Sequence, residues 1–540
     1  MMRRDLLSLW LALASLAIPG CSVDEGASGL AVITAEGFDA HLRFLASDVL
    51  EGRAPASEGA ELAALYVATQ FELAGLHPVV GDSSFLQPVP LAAVTSRPRL
   101  VFRARGGASF EAAYGPDFVA WSSRPAEPTQ IESELVFVGY GISAPEAGWD
   151  DYKDVDVSGK VLLMLLNDPG PATPGRFRGD TLTYYGLPDY KYGEAARRGA
   201  LGAILIHARD LAGYGWHHVE SVRRREQLQL EPPPGAPRPE FQALMSRAAS
   251  ETIVAMAGLD FATLLESATS ENFRPIAVGL SVSASVRSEV RHLVDANVAG
   301  LLPGTDPELA DEVVVFTSHF DNLGIGPAVD SDSIYNGAYD NASGTAMLIL
   351  LAEAFARLPE RPARSILFLA VTADQPDLLG TSYYVENPLV PLESTVANVN
   401  LDGVNLWGPT YDIVAITGRA SSLDEAVVRA AAAEDLRLEG DRAPEQGHRY
   451  GSGQFTFMRA GVPAVYIGHG LDFIGQMPGW GTRMMSDYRE EHYRQPSDEY
   501  RPDADLRGAV QQGRVAFRVG LAVANARERP SWIEELGAGN

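Results

Sequence analysis

From Thr34 to about Leu76 the apolar residues recur at helical spacing: Phe38, Leu42 and Leu45, then Leu62, Leu65, Tyr66, Phe71 and Leu73. Gly75 follows as a helix stop. Between Glu134 and Leu166 the texture changes to short β-rich runs, Leu135–Ile142 and Lys160–Leu166, divided by Pro and Gly turns. A helix over 192–198 and an apolar strand over 203–207 come next, followed by a basic, Pro-rich passage over 223–239 that reads as a loop or insertion. Beyond Val294 the pattern changes again. Buried strands at 313–317, 365–371, 396–401 and 464–467 alternate with amphipathic helices at 346–358, 423–434 and 505–525. That alternation predicts an α/β fold, a mixed, mostly parallel sheet flanked by helices. Polar residues directly after its strands belong at the sheet edge where open α/β folds place their sites.

Composition narrows the class of protein. The chain has 540 residues, 46% of them hydrophobic and 21% charged, as expected for a globular protein of two to four domains. Its formal charge of −27 argues against a nucleic-acid binder, because such a surface repels phosphate backbones. One cysteine rules out a disulfide scaffold and a thiolate zinc cluster. That cysteine, Cys21, follows Arg3-Arg4, an apolar run from Leu6 to Ile18, and Pro19-Gly20. A basic start, a short apolar core and a small residue at the cut predict a secretory signal over 1–20, too short to span a bilayer. Ile18-Pro19-Gly20-Cys21 resembles the lipobox of a bacterial lipoprotein. The resemblance implies an exported protein anchored to the membrane by acylation of Cys21, with residues 21–30 as a lipidated tether, on the periplasmic or surface side of the cell envelope.

The chemistry-bearing residues follow the later strands. His319 and Asp321 come after the strand at 313–317, and Asp340 lies in the Gly-punctuated loop 336–344. Asp374 follows 365–371 and Asp402 follows 396–401. Four carboxylates gathered with one imidazole repel one another, and a bound cation relieves that repulsion. One imidazole with carboxylates suits zinc with a position left open for water.

Several motifs carry a family resemblance: Leu45–Arg53, Phe137–Ile142, Trp149–Tyr152, Glu194–Ala203, Ser318–Gly324, Asn336–Gly344, Tyr383–Pro388, Gly461–Pro463 and Gln495–Tyr500. Together they resemble the M28 family of metallo-aminopeptidases, in the subgroup that carries an inserted protease-associated domain. The resemblance implies a peptidase domain built from 31–125 and 290–530, with a β-rich protease-associated domain inserted over 126–289. It implies that His319 and Asp402 ligate one zinc, that Asp340 bridges two zincs, and that Asp321 orients His319 from behind.

The departures from the family pattern are concentrated at the second zinc. The family's adjacent glutamates, base then ligand, are Asp374-Gln375 here, and the last ligand, a histidine, is replaced by Arg494. Asp374 is one methylene shorter than a glutamate, roughly 1.5 Å at the carboxylate. Gln375 offers a neutral carbonyl oxygen, and a guanidinium cannot ligate at all. Upstream, an acidic–histidine pair is replaced by Gly453-Gln454. At most one zinc is therefore expected. Arg494 is expected to pair with Asp340 in the second metal's place, or His492 to be presented there by a shifted loop. Two functions remain: a one-zinc exopeptidase with Asp374 as base, acting on the N-terminal bonds of exported peptides, or a catalytically silent relative that binds peptides or proteins at the envelope.

Overall fold

The computed structural model describes residues 26–173, 176–212, 214–230, 238–375, 377–417 and 421–533; Cys21 and the leader lie outside them. Two hydrophobic lobes share one sheet. Its path runs 437–439, 412–416, 464–469, 395–400, 313–319, 365–371, 276–302, 129–137, 161–165, 202–207, 241–246 and 118–122. In the first lobe the strands Ser365–Val371, Val313–His319, Thr395–Asn400 and Ala464–His469 are mutually parallel, with antiparallel neighbours at either end. The mixed, mostly parallel architecture is as expected. Each central strand is buried on both faces, so 313–317 and 365–371 read as near-continuous apolar runs, whereas Thr395–Asn400 carries the buried Asn398 and Asn400.

The strand Ile276–Leu302, 27 residues long, joins the lobes. Val298–Leu302 pairs with Ile366–Ala370 in the first lobe, while its earlier half pairs with Thr129–Phe137 in the second. The antiparallel strand Leu86–Ala104 runs beside it along almost its whole length. Leu100, Phe102, Ala112, Phe118 and Ala120 therefore pack into the core of the second lobe with residues 131–286. That lobe begins ahead of residue 126, because a strand long enough to cross between two cores belongs to both. Its strands at 129–137, 161–165, 202–207 and 241–246 are parallel, and helices Pro188–Arg197, Arg247–Met256 and Phe261–Ala268 accompany them, so the lobe is α/β rather than purely β.

The N-terminal helices Ala35–Leu45 and Glu58–Leu73 pack on the first lobe, the second through Ala60, Ala63, Ala64, Val67 and Phe71. Leu62, Leu65 and Leu73 face outward instead. Small residues line the packed face because the preceding turn approaches closely; a Cβ on Gly59 would lie 1.8 Å from the Leu50 carbonyl oxygen.

That turn ends at Arg53, which is fully buried. Its Nε donates to the Phe320 carbonyl at 2.6 Å, and its Nη1 donates to the Asn336 carbonyl at 2.6 Å and to the Leu45 carbonyl. One side chain thus ties the N-terminal segment to the two loops that carry His319, Asp321 and Asp340. Replacing it with methionine leaves buried carbonyls unpaired, and Arg53→Met is expected to cost about 3 kcal/mol or more in a denaturant melt. The exposed Arg97→Met should leave the midpoint where it was.

Candidate metal centre

Four segments bring the site together at the C-terminal ends of the parallel strands. His319 is the last residue of its strand, and Asp402 lies two residues beyond Asn400. Asp340 comes from the loop that opens the helix Ser343–Ala356. Gly337 shapes that loop: it sits at φ +58°, and a Cβ there would collide with the Asn322 side chain at 1.5 Å. The loop is then pinned from three sides. Asn341 donates to Ser318 Oγ and to the Leu401 carbonyl, both at 3.0 Å, and accepts from the Gly403 amide at 2.9 Å. Asp498 accepts the amides of Tyr339 at 3.0 Å and Asp340 at 3.1 Å, together with the Tyr488 hydroxyl. Arg53 holds Asn336 as described above.

His319 Nε2 lies 3.3 Å from Asp340 Oδ1 and 3.3 Å from Asp402 Oδ1, and the three atoms lie within 4.8 Å of one another. A tetrahedral ion with bonds of about 2.0–2.1 Å has edges of about 3.3–3.4 Å, so one nitrogen and two carboxylate oxygens at this spacing fit a zinc ion with a fourth position open. On its far side, His319 Nδ1 meets the Asp321 backbone carbonyl at 3.2 Å, and Asp321 Oδ1 lies 3.5 Å away. Asp321 also accepts the amides of Asp374 at 3.1 Å and Gln375 at 3.3 Å, which fixes the neighbouring strand end against the imidazole. In the metal-free geometry burial works against a charged imidazole, yet the carboxylates, Asp402 foremost, hold His319 well above its ordinary value. Asp402 is correspondingly held below the usual carboxylate range, despite burial, by His319 and Ser452. Negative charge thus dominates the cluster, as a cation site requires.

The outer oxygen of Asp340 is paired with side chains. Asp340 Oδ2 accepts from Gln375 Nε2 at 2.6 Å, and Gln375 Oε1 accepts from Arg494 Nη2 at 2.7 Å. The orientation of the amide follows, since its oxygen must meet the guanidinium and its nitrogen the carboxylate. Arg494 therefore reaches Asp340 through Gln375 rather than directly as expected. A direct pair would have left the amide without an acceptor for its N–H. His492 does not join the cluster, because its ring bonds Ser497 Oγ at 2.9 Å at the end of helix Trp480–Glu491.

Asp374, the expected base, caps a helix. Its two oxygens accept the amide of Thr381 at 2.8 Å and the Thr381 hydroxyl at 2.6 Å, in the first turn of helix Leu379–Glu386. Burial pushes its carboxyl up to about 7 in spite of those two bonds. His218 is buried in the second lobe, 5.9 Å from the Tyr493 ring, and His469 ends a strand with its Nε2 3.1 Å from the Tyr339 hydroxyl. Arg53, Asn341 and Asp498 were missed as organising residues. All three stand inside motifs that were recognised, but what each holds is backbone, which no residue pattern encodes.

The strand-end imidazole and carboxylates on a mostly parallel sheet define a metallohydrolase-type α/β domain. The profile described as "Peptidase family M28" matches residues 297–517, and the domain over those residues belongs to that family. Aminopeptidase NAALADL1 of Mus musculus is 32% identical over 130 residues, 23% of this chain and 16% of that protein. A probable glutamate carboxypeptidase of Arthroderma benhamiae is 34% identical over 123 residues, 22% of this chain and 15% of that protein. The matched stretch thus spans about a sixth of the length of these curated relatives. Among solved structures, an aminopeptidase from Aneurinibacillus sp. strain AM-1 shares the fold at TM-score 0.54 and 17% identity, covering 95% of this chain and 98% of that one.

If Gln375 and Arg494 are what keep a second ion out, returning donors there should restore it. Elemental analysis after equilibration with zinc should rise from about one zinc per chain in the native protein to about two in Gln375→Glu/Arg494→His. His319→Ala should lose the native ion.

Proposed function

We propose that the protein is a one-zinc exopeptidase of the M28 type that acts on short peptides at their N-terminal bonds. The observation that carries this reading is the 3.3 Å spacing of His319 Nε2 from Asp340 Oδ1 and Asp402 Oδ1, with Asp321 behind the imidazole. A peptidase family implies a peptide substrate. A zinc ion, when bound, polarises a carbonyl and lowers the pKa of a water. The chain's own residues do the rest. His319, Asp340 and Asp402 hold the ion, Asp321 keeps the imidazole oriented, and Gln375 holds the outer oxygen of Asp340 so that its inner oxygen stays directed at the metal. Arg494 sets a fixed positive charge where the second ion is expected, next to any group that develops negative charge there. Export and anchoring through Cys21 belong to this reading, supported by the basic, apolar and cysteine succession of residues 3–21. The second lobe, read as a protease-associated domain on the strength of Phe137–Ile142, Trp149–Tyr152 and Glu194–Ala203, lies beside the cleft and limits the size of what enters.

One observation favours the second reading, a silent relative that binds peptides. Each oxygen of Asp374 already accepts from Thr381, so the expected base is committed to a helix start and keeps only one further lone pair on each oxygen. The two readings part on the Asp374→Ala variant. For a peptidase, turnover of leucine p-nitroanilide by the zinc-loaded protein is expected to fall by about a hundredfold or more. For a binding protein there is no turnover at any zinc concentration, and the same substitution costs only the helix cap, about 1–2 kcal/mol of stability.

A further inference from the structure

Away from the metal centre, a cavity of about 350 Å³ opens where the two lobes meet, between Leu182 of the second and Ile416, Asp424 and Arg449 of the first. Arg449 is 7% exposed, and its Nε and Nη2 find no hydrogen-bond partner. Its guanidinium lies over the Tyr450 ring, 5.3 Å from the ring centre. A guanidinium taken out of water without an anion costs several kcal/mol, so such a residue persists where an anion can reach it. Arg178, at the rim, adds a second positive charge and, after burial itself, helps to push Arg449 down from its ordinary value. The same cavity holds the opposite charge. Asp424 Oδ1 is buried and also without a partner, while its Oδ2 accepts the Ser421 amide at 3.2 Å; Asp441, the other carboxylate in the lining, is paired with His448 at 3.0 Å. Between the two charges the wall is apolar, made by Leu182, Ile416 and Pro444.

We propose that this cavity binds a small zwitterion, an α-amino acid with an apolar side chain, its carboxylate on Arg449, its ammonium on Asp424 and its side chain against Leu182 and Ile416. A volume near 350 Å³ stands at the small end of ligand pockets, large enough for one amino acid or a short peptide. A simple anion would answer Arg449 and leave Asp424 Oδ1 unpaired, whereas a zwitterion satisfies both. The site owes nothing to zinc or to turnover, and it stands whichever function the metal centre has.

Calorimetric titration of the zinc-loaded protein with L-leucine tests the proposal. Saturable binding is expected, weakened about tenfold or more in Arg449→Gln and in Asp424→Asn and unchanged in His319→Ala. The ligand can be varied without touching the fold: in His319→Ala, which cannot hydrolyse the amide, leucinamide, which lacks the carboxylate, and N-acetyl-L-leucine, which lacks the ammonium, should each bind at least about tenfold more weakly than L-leucine. No binding of L-leucine up to about 10 mM, a weak limit for a charge-paired ligand, overturns the proposal. Equal binding of all three compounds also overturns it. Binding abolished by His319→Ala but indifferent to Arg449→Gln assigns the ligand to the metal centre, and overturns this site while leaving the peptidase reading intact.

Discussion

Asp340 must satisfy two oxygens in a place where water scarcely reaches, and the centre is arranged around how it does so. One oxygen stands 3.3 Å from the imidazole of His319, where a cation can sit between them. The other accepts from Gln375, whose own oxygen accepts from Arg494. The relay from Arg494 through Gln375 pairs the outer oxygen with a neutral donor and leaves the inner one facing the imidazole. A guanidinium thus places a positive charge one residue away from Asp340. That charge is permanent and cannot exchange a ligand, so it can stabilise but cannot deliver a water.

The cluster is held by backbone as much as by its own side chains. Arg53, Asn341, Asp321 and Asp498 spend their hydrogen bonds on carbonyls and amides of the loops that carry the donors. Each such bond converts a loop, ordinarily the most mobile kind of segment, into a fixed support for a ligand. The same economy operates between the lobes. The strand Ile276–Leu302 belongs to two cores at once, so the second lobe is carried by the sheet that carries the centre. Arg223 of the second lobe then reaches Asp377 beside the site with two bonds of 2.6 and 2.7 Å. The lobes therefore meet over the cleft through specific contacts as well as through a shared strand.

Much of this was open to reading along the chain. Strands buried on both faces are mostly apolar, and the runs at 313–317, 365–371 and 396–401 fall within one or two residues of the strands observed. Because parallel strands present their C-terminal ends at one edge, His319, Asp340 and Asp402 were also expected together. The outer face of Glu58–Leu73 was misread. Periodicity counts leucines, whereas the packed face is made of alanines that admit a close neighbour. The second core also takes in residues between Leu100 and Ala120, and a strand crossing from one core to another shows no change of pattern where it crosses.

What the residues determined without help was chemical: a guanidinium at 494 cannot ligate, an amide at 375 ligates poorly, and one imidazole with two carboxylates suffices for one ion. What only the tertiary structure decided was pairing. Gln375 stands between Arg494 and Asp340, Asp374 turns to Thr381, and His492 turns to Ser497. The physical reason is that a donor's chemistry is local to its residue, whereas its partner is chosen among all groups that folding brings within about 3 Å, and residues far apart along the chain compete for that place.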